Sequence, residues 1–281
     1  MKKLLGFSIF LVFVLIASLT AEAKVTLPAI FSDNMVLQQN TQVNVWGKAA
    51  PGEKVTVKAS WLDKAVTAKA AANGKWTVKL KTPKAITNQS VTVSGENEIT
   101  INNVLIGEVW LCTGQSNMEF PVSRHPDVKW NTGMLNEAEE LKDADYPEIR
   151  LFHVKHQLAH EGELDDCEGE WLVCNPKNLY DFSAVGFVFG RKLYKELKMP
   201  VGLIQSTWGG THAESWTKLD VMKKNPLYAD VLKDFALEGV KQQKNYCKAP
   251  ATNGNGCRWS CRNNAVPPVA IVRTVSTILR Y

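Results

Sequence analysis

The chain has 281 residues, of which 45% are hydrophobic and 22% charged, and it carries nine Trp. This composition argues against a disordered chain and suffices for one large core or two medium ones. The formal charge is +5 with the Lys scattered and no basic run, so no nucleic-acid partner is expected.

The first 23 residues read as a secretory signal. Met1-Lys2-Lys3 is a short positive start, and Leu4 to Leu19 is nearly all apolar and uncharged. Thr20-Ala21-Glu22-Ala23 then places small residues where a signal peptidase reads. The expectation is cleavage after Ala23 and a secreted or periplasmic protein; the competing reading is an uncleaved anchor. No later run approaches about 18 apolar residues, so no membrane partner is expected after cleavage.

Residues 24–103 read as a small all-β domain, a sandwich or jelly roll. "QVNVWGKA", "EKVTVKASW", "KWTVKL", "QSVTVSG" and "NEITINNV" alternate apolar and polar positions and are rich in Val, Thr and Trp. Ala50-Pro51-Gly52-Glu53 reads as a turn, and Ala72-Asn73-Gly74-Lys75 as a tight hairpin, because Asn-Gly tolerates positive φ.

Residues 104–247 read as an α/β domain. "VLIGEVWLC" is the nearly continuous apolar strand of a sheet covered on both faces. Asp181 to Leu197 follows helical spacing, with Phe182, Val185, Phe189, Leu193 and Leu197 on one stripe and Asp181 or Ser183 as the cap. Met199-Pro200 stops it, and "VGLIQSTWGG" is a second strand. Ligands in such sheets gather at the carboxyl ends of strands, where both strand-end loops lie.

The first of these loops is Gly114-Gln115-Ser116-Asn117. A serine is a poor nucleophile unless a base lies within reach and donors await the oxyanion. Ser116 stands at a strand-to-helix break, and the competing reading is a plain helix N-cap. Met118 occupies the place where a Gly-x-Ser-x-Gly elbow needs Gly. In the second loop, Trp208-Gly209-Gly210-Thr211, paired glycines allow backbone N–H groups close to a ligand; an ordinary turn is the alternative. The histidines are His125, His153, His156, His160 and His212. "FHVKHQLAH" reads as loop histidines, not a metal site, since no zincin pattern follows. Glu161, Glu163, Asp165 and Asp166 read as a solvated acidic loop. Six Cys remain after the leader: Cys112, Cys167, Cys174, Cys247, Cys257 and Cys261. Cys167 and Cys174 are spaced to pair across a loop, and Cys257-x-x-x-Cys261 lacks a nearby His to make a zinc site. No cofactor or metal is expected.

Taken together, "FSDNMVLQQ", "VNVWGKAAPGEKVTV", "NGKWTVKL", "VLIGEVWLCTGQSNMEFPV", "FSAVGFVFGRKLY" and "PVGLIQSTWGGTHAESW" resemble the sialate O-acetylesterase family of SGNH-type hydrolases, over roughly residues 27 to 240. The resemblance implies a β domain joined to an incomplete SGNH, flavodoxin-like parallel-sheet domain. It implies metal-independent removal of O-acetyl groups from sialic acid or another acetylated sugar, with Ser116 as nucleophile. It implies Gly210, possibly with Gly209, as the oxyanion loop, and Gln115, Asn117, Thr211 and His212 as substrate-binding neighbours.

Two elements of the family pattern have no match. One is a later Trp-Tyr-Gln-Gly-Glu-Ser-Asn-like segment, whose Asn is an oxyanion donor. The other is a late Asp-x-x-His, which supplies the base. Three residues before the five histidines stand Val122, Arg150, His153, Gln157 and Gly209, and none is Asp. From Lys248 the pattern is lost while Cys and Arg accumulate, so residues 248–281 read either as a divergent end or, the favoured expectation, as an out-of-frame tail. A serine hydrolase without its base loses roughly a millionfold in kcat, so this chain is expected to be inactive or nearly so. The rivals are an acetylxylan or hemicellulose acetyl esterase, and a non-catalytic carbohydrate-binding protein in which exposed Trp208 and Trp216 stack on sugars. Oligomeric state is not legible.

Overall fold

The computed structural model describes residues 24–126, 132–157 and 164–233. The expected signal over 1–23, the tail of 248–281, His160, Glu161, Glu163, Cys247, Cys257 and Cys261 lie outside the described residues.

Six strands come first: β1 (Val36–Gln38), β2 (Gln42–Lys48), β3 (Lys54–Ala59), β4 (Val66–Lys69), β5 (Lys75–Lys81) and β6 (Ile86–Ser94). Their alternation is real. In β5, Trp76, Val78 and Leu80 are buried while each Lys and Thr between them is exposed. The expected Asn73-Gly74 hairpin is corrected. Gly74 does take φ +76°, but β4 pairs antiparallel with β3, and β5 with β2. The turn therefore carries the chain from one sheet to the other. The reason is burial: Val78 and Leu80 find the same core as Val55, Val57, Val91 and Val93 only from the second sheet.

The expected boundary at residues 103 and 104 falls inside one strand, β7 (Glu98–Gly114), 17 residues long. Its first part pairs antiparallel with β6, and Leu105–Gly107 pairs parallel with β1. Its second part, from Glu108, pairs parallel with β10 (Val201–Thr207). β10 in turn lies parallel to β8 (Tyr146–His153), and β9 (Trp171–Cys174) closes that side antiparallel. The result is a mixed sheet in the order β4-β3-β6-β7-β10-β8-β9, not a purely parallel one.

Among the described residues five α-helices accompany the sheet: α1 (Ser116–Glu119), α2 (Glu137–Lys142), α3 (Pro176–Leu179), α4 (Ala184–Leu197) and α5 (Leu219–Lys223). Every residue of β10 is buried, as expected of a strand covered on both faces. One face meets the β-rich part, with Phe152, Trp171 and Ile204 joining Val36 and Ile106. The other meets α4, through Phe187, Leu203, Leu151 and Cys112. A buried bond from Trp171 Nε1 to Ile30 O, 2.8 Å, ties the two parts.

Two expectations about this region are corrected. Ser183 caps α4, its hydroxyl accepting from Gly186 N at 3.0 Å, but the buried side of the helix is Ala184, Gly186, Phe187 and Gly190. Val185, Phe189 and Leu197 face outward, Phe189 edge-on to Trp110. Close approach decides the face: a methyl on Gly190 would stand 2.4 Å from Leu203. Cys167 and Cys174 are free thiols, not a pair. Cys167 sits in the core toward the β-rich part and Cys174 in the core beneath α4. Desolvation pushes Cys112 up to about 11 and Cys167 and Cys174 up to about 12.

Candidate active site

Parallel pairing of β7 with β10 puts Gly114 opposite Thr207, so both strands end at one edge. Trp208 N donates to Gly114 O at 3.0 Å and holds the two exits together. Beyond Gly114 the chain turns at Gln115, and Ser116 is the first residue of the single-turn helix α1. Gln115, not Ser116, occupies the cap position, and its side chain makes no capping bond. The structural alternative for Ser116 thus fails. The residue is exposed, and among the described residues its Oγ has no hydrogen-bond partner.

Gly209 and Gly210 follow the end of β10. A methyl built on Gly209 would lie 3.3 Å from Ser116 Oγ, so this loop packs directly on the candidate nucleophile. Gly210 has φ +73° with open space where a side chain would be, and it is exposed. No acceptor faces its N–H among the described residues. The two glycines differ in a way the sequence does not reveal: Gly209 N–H already donates to Glu119 Oε2 at 2.5 Å.

Glu119 was not singled out by sequence. The signal was its spacing, three residues after Ser116 on a helical turn, which puts both on one face. Its other oxygen meets His156 Nε2 at 3.1 Å, and the same nitrogen lies 2.8 Å from Thr207 O. Two acceptors on one nitrogen require that Nε2 carries the proton. The His156 ring stacks on Trp208, 4.2 Å between centroids and 7° between planes. Burial acts to raise the Glu119 carboxyl, but the bonds from His156 and Gly209 N–H, with the nearby charges of His156 and His153, outweigh it and hold it below the ordinary value.

The remaining candidates divide. Gln115 and Asn117 are exposed beside Ser116, and Gln115 Nε2 donates to Thr211 O, a second tie between the two loops. Thr211 is buried, its Oγ1 donating to Trp208 O at 2.7 Å and accepting from Trp216 Nε1 at 2.9 Å. Its side chain therefore braces the loop and is not presented to a ligand. His212 is exposed. Trp208 and Trp216 are half-buried, contrary to the exposed platforms expected, because one covers His156 and the other supports Thr211. His125 pairs instead with Asp181, at 2.7 Å. The described end of the acidic loop is pinned and not merely solvated: Asp165 bridges Lys75 at 2.6 Å and Lys48 at 3.3 Å. Among the described residues no three His, Cys, Asp or Glu side chains converge to hold a metal ion. An open cleft of about 640 Å³, lined by His153, His156, Lys155, Glu170 and Leu172, lies on the His156 side.

The family described as carbohydrate esterase, sialic acid-specific acetylesterase, matches residues 106–247, about half of the chain. The sialate O-acetylesterase of Mus musculus is 30% identical over 263 residues, covering 86% of this chain and 46% of the relative. That of Homo sapiens is 31% identical over 205 residues, covering 66% of this chain and 37% of the relative. The crystal structure of a carbohydrate acetylesterase from Xanthomonas citri is similar with a TM-score of 0.63 and 31% identity, over 70% of this chain and 43% of that one. The chain thus spans less than half the length of these relatives.

Proposed function

The chain belongs to the sialic acid-specific acetylesterase family of carbohydrate esterases, and on that premise we propose that its Ser116 site removes O-acetyl groups from sialic acid. The observation that carries the proposal is the uncapped, exposed hydroxyl of Ser116, packed against a glycine loop at the shared carboxyl edge of β7 and β10. Ser116 Oγ attacks the acetyl carbon, the sugar hydroxyl leaves with a proton, and water hydrolyses the acetyl-enzyme. The developing oxyanion is met by backbone N–H groups, one such donor being worth roughly 3–4 kcal/mol. We place Gln115, Asn117 and His212 at the rim of the substrate, and an exported location fits an extracellular glycan.

The chain contains no Asp-x-x-His, and among the described histidines none hydrogen-bonds Ser116. The test is trapping with an organophosphorus or sulfonyl fluoride reagent, with the modified residue located by mass spectrometry. Modification of Ser116 supports the reading, and acetate release without it defeats the reading. Assay of acetylated sialic acid against acetylated xylan separates the sugar classes.

A further inference from the structure

We infer that Glu119 is a positioning residue that latches the Trp208-Gly209-Gly210 loop onto the Ser116 turn and leaves the oxyanion contact to the Gly210 N–H. The inference rests on the esterase reading of Ser116.

Three consecutive residues, the last of β10 and the first two of the loop, are held by one Glu–His pair. Thr207 is held through its carbonyl, 2.8 Å from His156 Nε2. Trp208 is held through its ring, stacked on the imidazole at 4.2 Å. Gly209 is held through its N–H, which donates to Glu119 Oε2 at 2.5 Å. Since Glu119 and Ser116 share one face of α1, this grip fixes the loop relative to the nucleophile itself. Gln115 adds a second tie through Thr211 O.

The grip also assigns the amides. A carboxylate near a developing oxyanion is adverse unless its charge is met by donors. Here both oxygens are met, Oε1 by the imidazole and Oε2 by Gly209 N–H. Gly209 N–H is thereby taken. Gly210, exposed, in the left-handed region at φ +73° and with no acceptor at its N–H among the described residues, is the donor left open. A side chain on Gly209 would strike the latch at 2.5 Å from Glu119 Oε2.

The test uses the full chain with Glu119→Ala, Glu119→Gln and Ser116→Ala. Hydrogen exchange is followed by mass spectrometry in a peptide spanning residues 205–212, and the rate of Ser116 modification by a fluorophosphonate probe is measured in parallel. Glu119→Ala is expected to speed loop exchange at least tenfold and slow Ser116 modification at least tenfold, with peptides of β7 and β10 as protected as before. Glu119→Gln, which retains an acceptor for Gly209 N–H, is expected to fall between. Ser116→Ala is expected to abolish modification and leave loop exchange untouched. Loop exchange and modification that stay at wild-type values in Glu119→Ala overturn the latch. If Ala exposes β7 as well, Glu119→Gln decides: wild-type loop exchange there overturns it equally. Wild-type Ser116 that takes no probe defeats the esterase reading and with it a positioning role in catalysis, whereas a probe-labelled Ser116 with an indifferent loop defeats the latch alone.

Discussion

Gly209 presents its bare α-carbon to Ser116: a methyl group there would lie 3.3 Å from Ser116 Oγ and 2.5 Å from Glu119 Oε2. Gly209→Ala must therefore push the loop away from α1. At Gly210 there is room, and the cost is conformational, since φ +73° disfavours any side chain by about 1–2 kcal/mol. Gly209→Ala is expected to lower the rate of Ser116 modification at least tenfold, and Gly210→Ala to lower stability by about 1 kcal/mol in urea unfolding. Equal, wild-type modification rates in both variants would contradict this packing.

Ser116→Ala removes an exposed hydroxyl that makes no hydrogen bond among the described residues. Stability is expected to stay within about 0.5 kcal/mol of wild type while probe modification vanishes. A large drop in Tm would mean that the hydroxyl is a structural group after all.

Arg191 on α4 makes a two-pronged contact with Glu140 on α2, one prong at 3.1 Å, with Asn136 donating to the same carboxylate. The guanidinium also lies 4.9 Å over the Phe187 ring. The pair is nearly enclosed, with 21% and 10% of the two side chains exposed. Glu140→Gln is expected to cost about 3 kcal/mol, because Arg191 would be left without its counter-charge. The bond from Arg191 holds the Glu140 carboxyl below the ordinary value. A depressed carboxyl contributes stability that is present above its unfolded pKa and is lost as pH falls through the folded one. The difference between wild type and variant should then be full above about pH 4.3 and shrink below it, as followed by urea unfolding across pH. A difference that grows on acidification would refute the assignment.

Cys112, Cys167 and Cys174 are buried free thiols with pKa pushed up to about 11, 12 and 12. Alkylation with iodoacetamide at pH 8 should leave these three unmodified in the native chain and modify all three in denaturant, as read by peptide mapping. A disulfide linking Cys167 to Cys174 would appear in the same map and would contradict the separation of the two cores.

The strands were legible because their burial alternates with the sequence: Val43, Val45, Trp76, Val78 and Leu80 are inside wherever the pattern put them. β10 was legible as a doubly covered strand for the opposite reason, an absence of alternation. Strand partners were less so. A turn such as Asn73-Gly74 fixes a change of direction, but which sheet receives the next strand depends on burial that no local signal carries. The apolar stripe of α4 misled because Gly186 and Gly190, not the largest side chains, set the contact distance. At the candidate site, Ser116, Gly209 and Gly210 stood out as residue types at strand ends. Glu119 and His156 did not, since a carboxylate and an imidazole 37 positions apart meet only through the parallel pairing of β7, β10 and β8.

β7 is a single girder under two roofs. Its early residues hold β6 and β1, and its late ones hold β10, with Ser116 two residues past its end. Tugging on the β-rich end is therefore transmitted along one continuous strand, through the left-handed bend at Asn103 (φ +53°), toward the hydroxyl. The halves should melt in one cooperative step, and a proteolytic nick between residues 103 and 104 would cost both together.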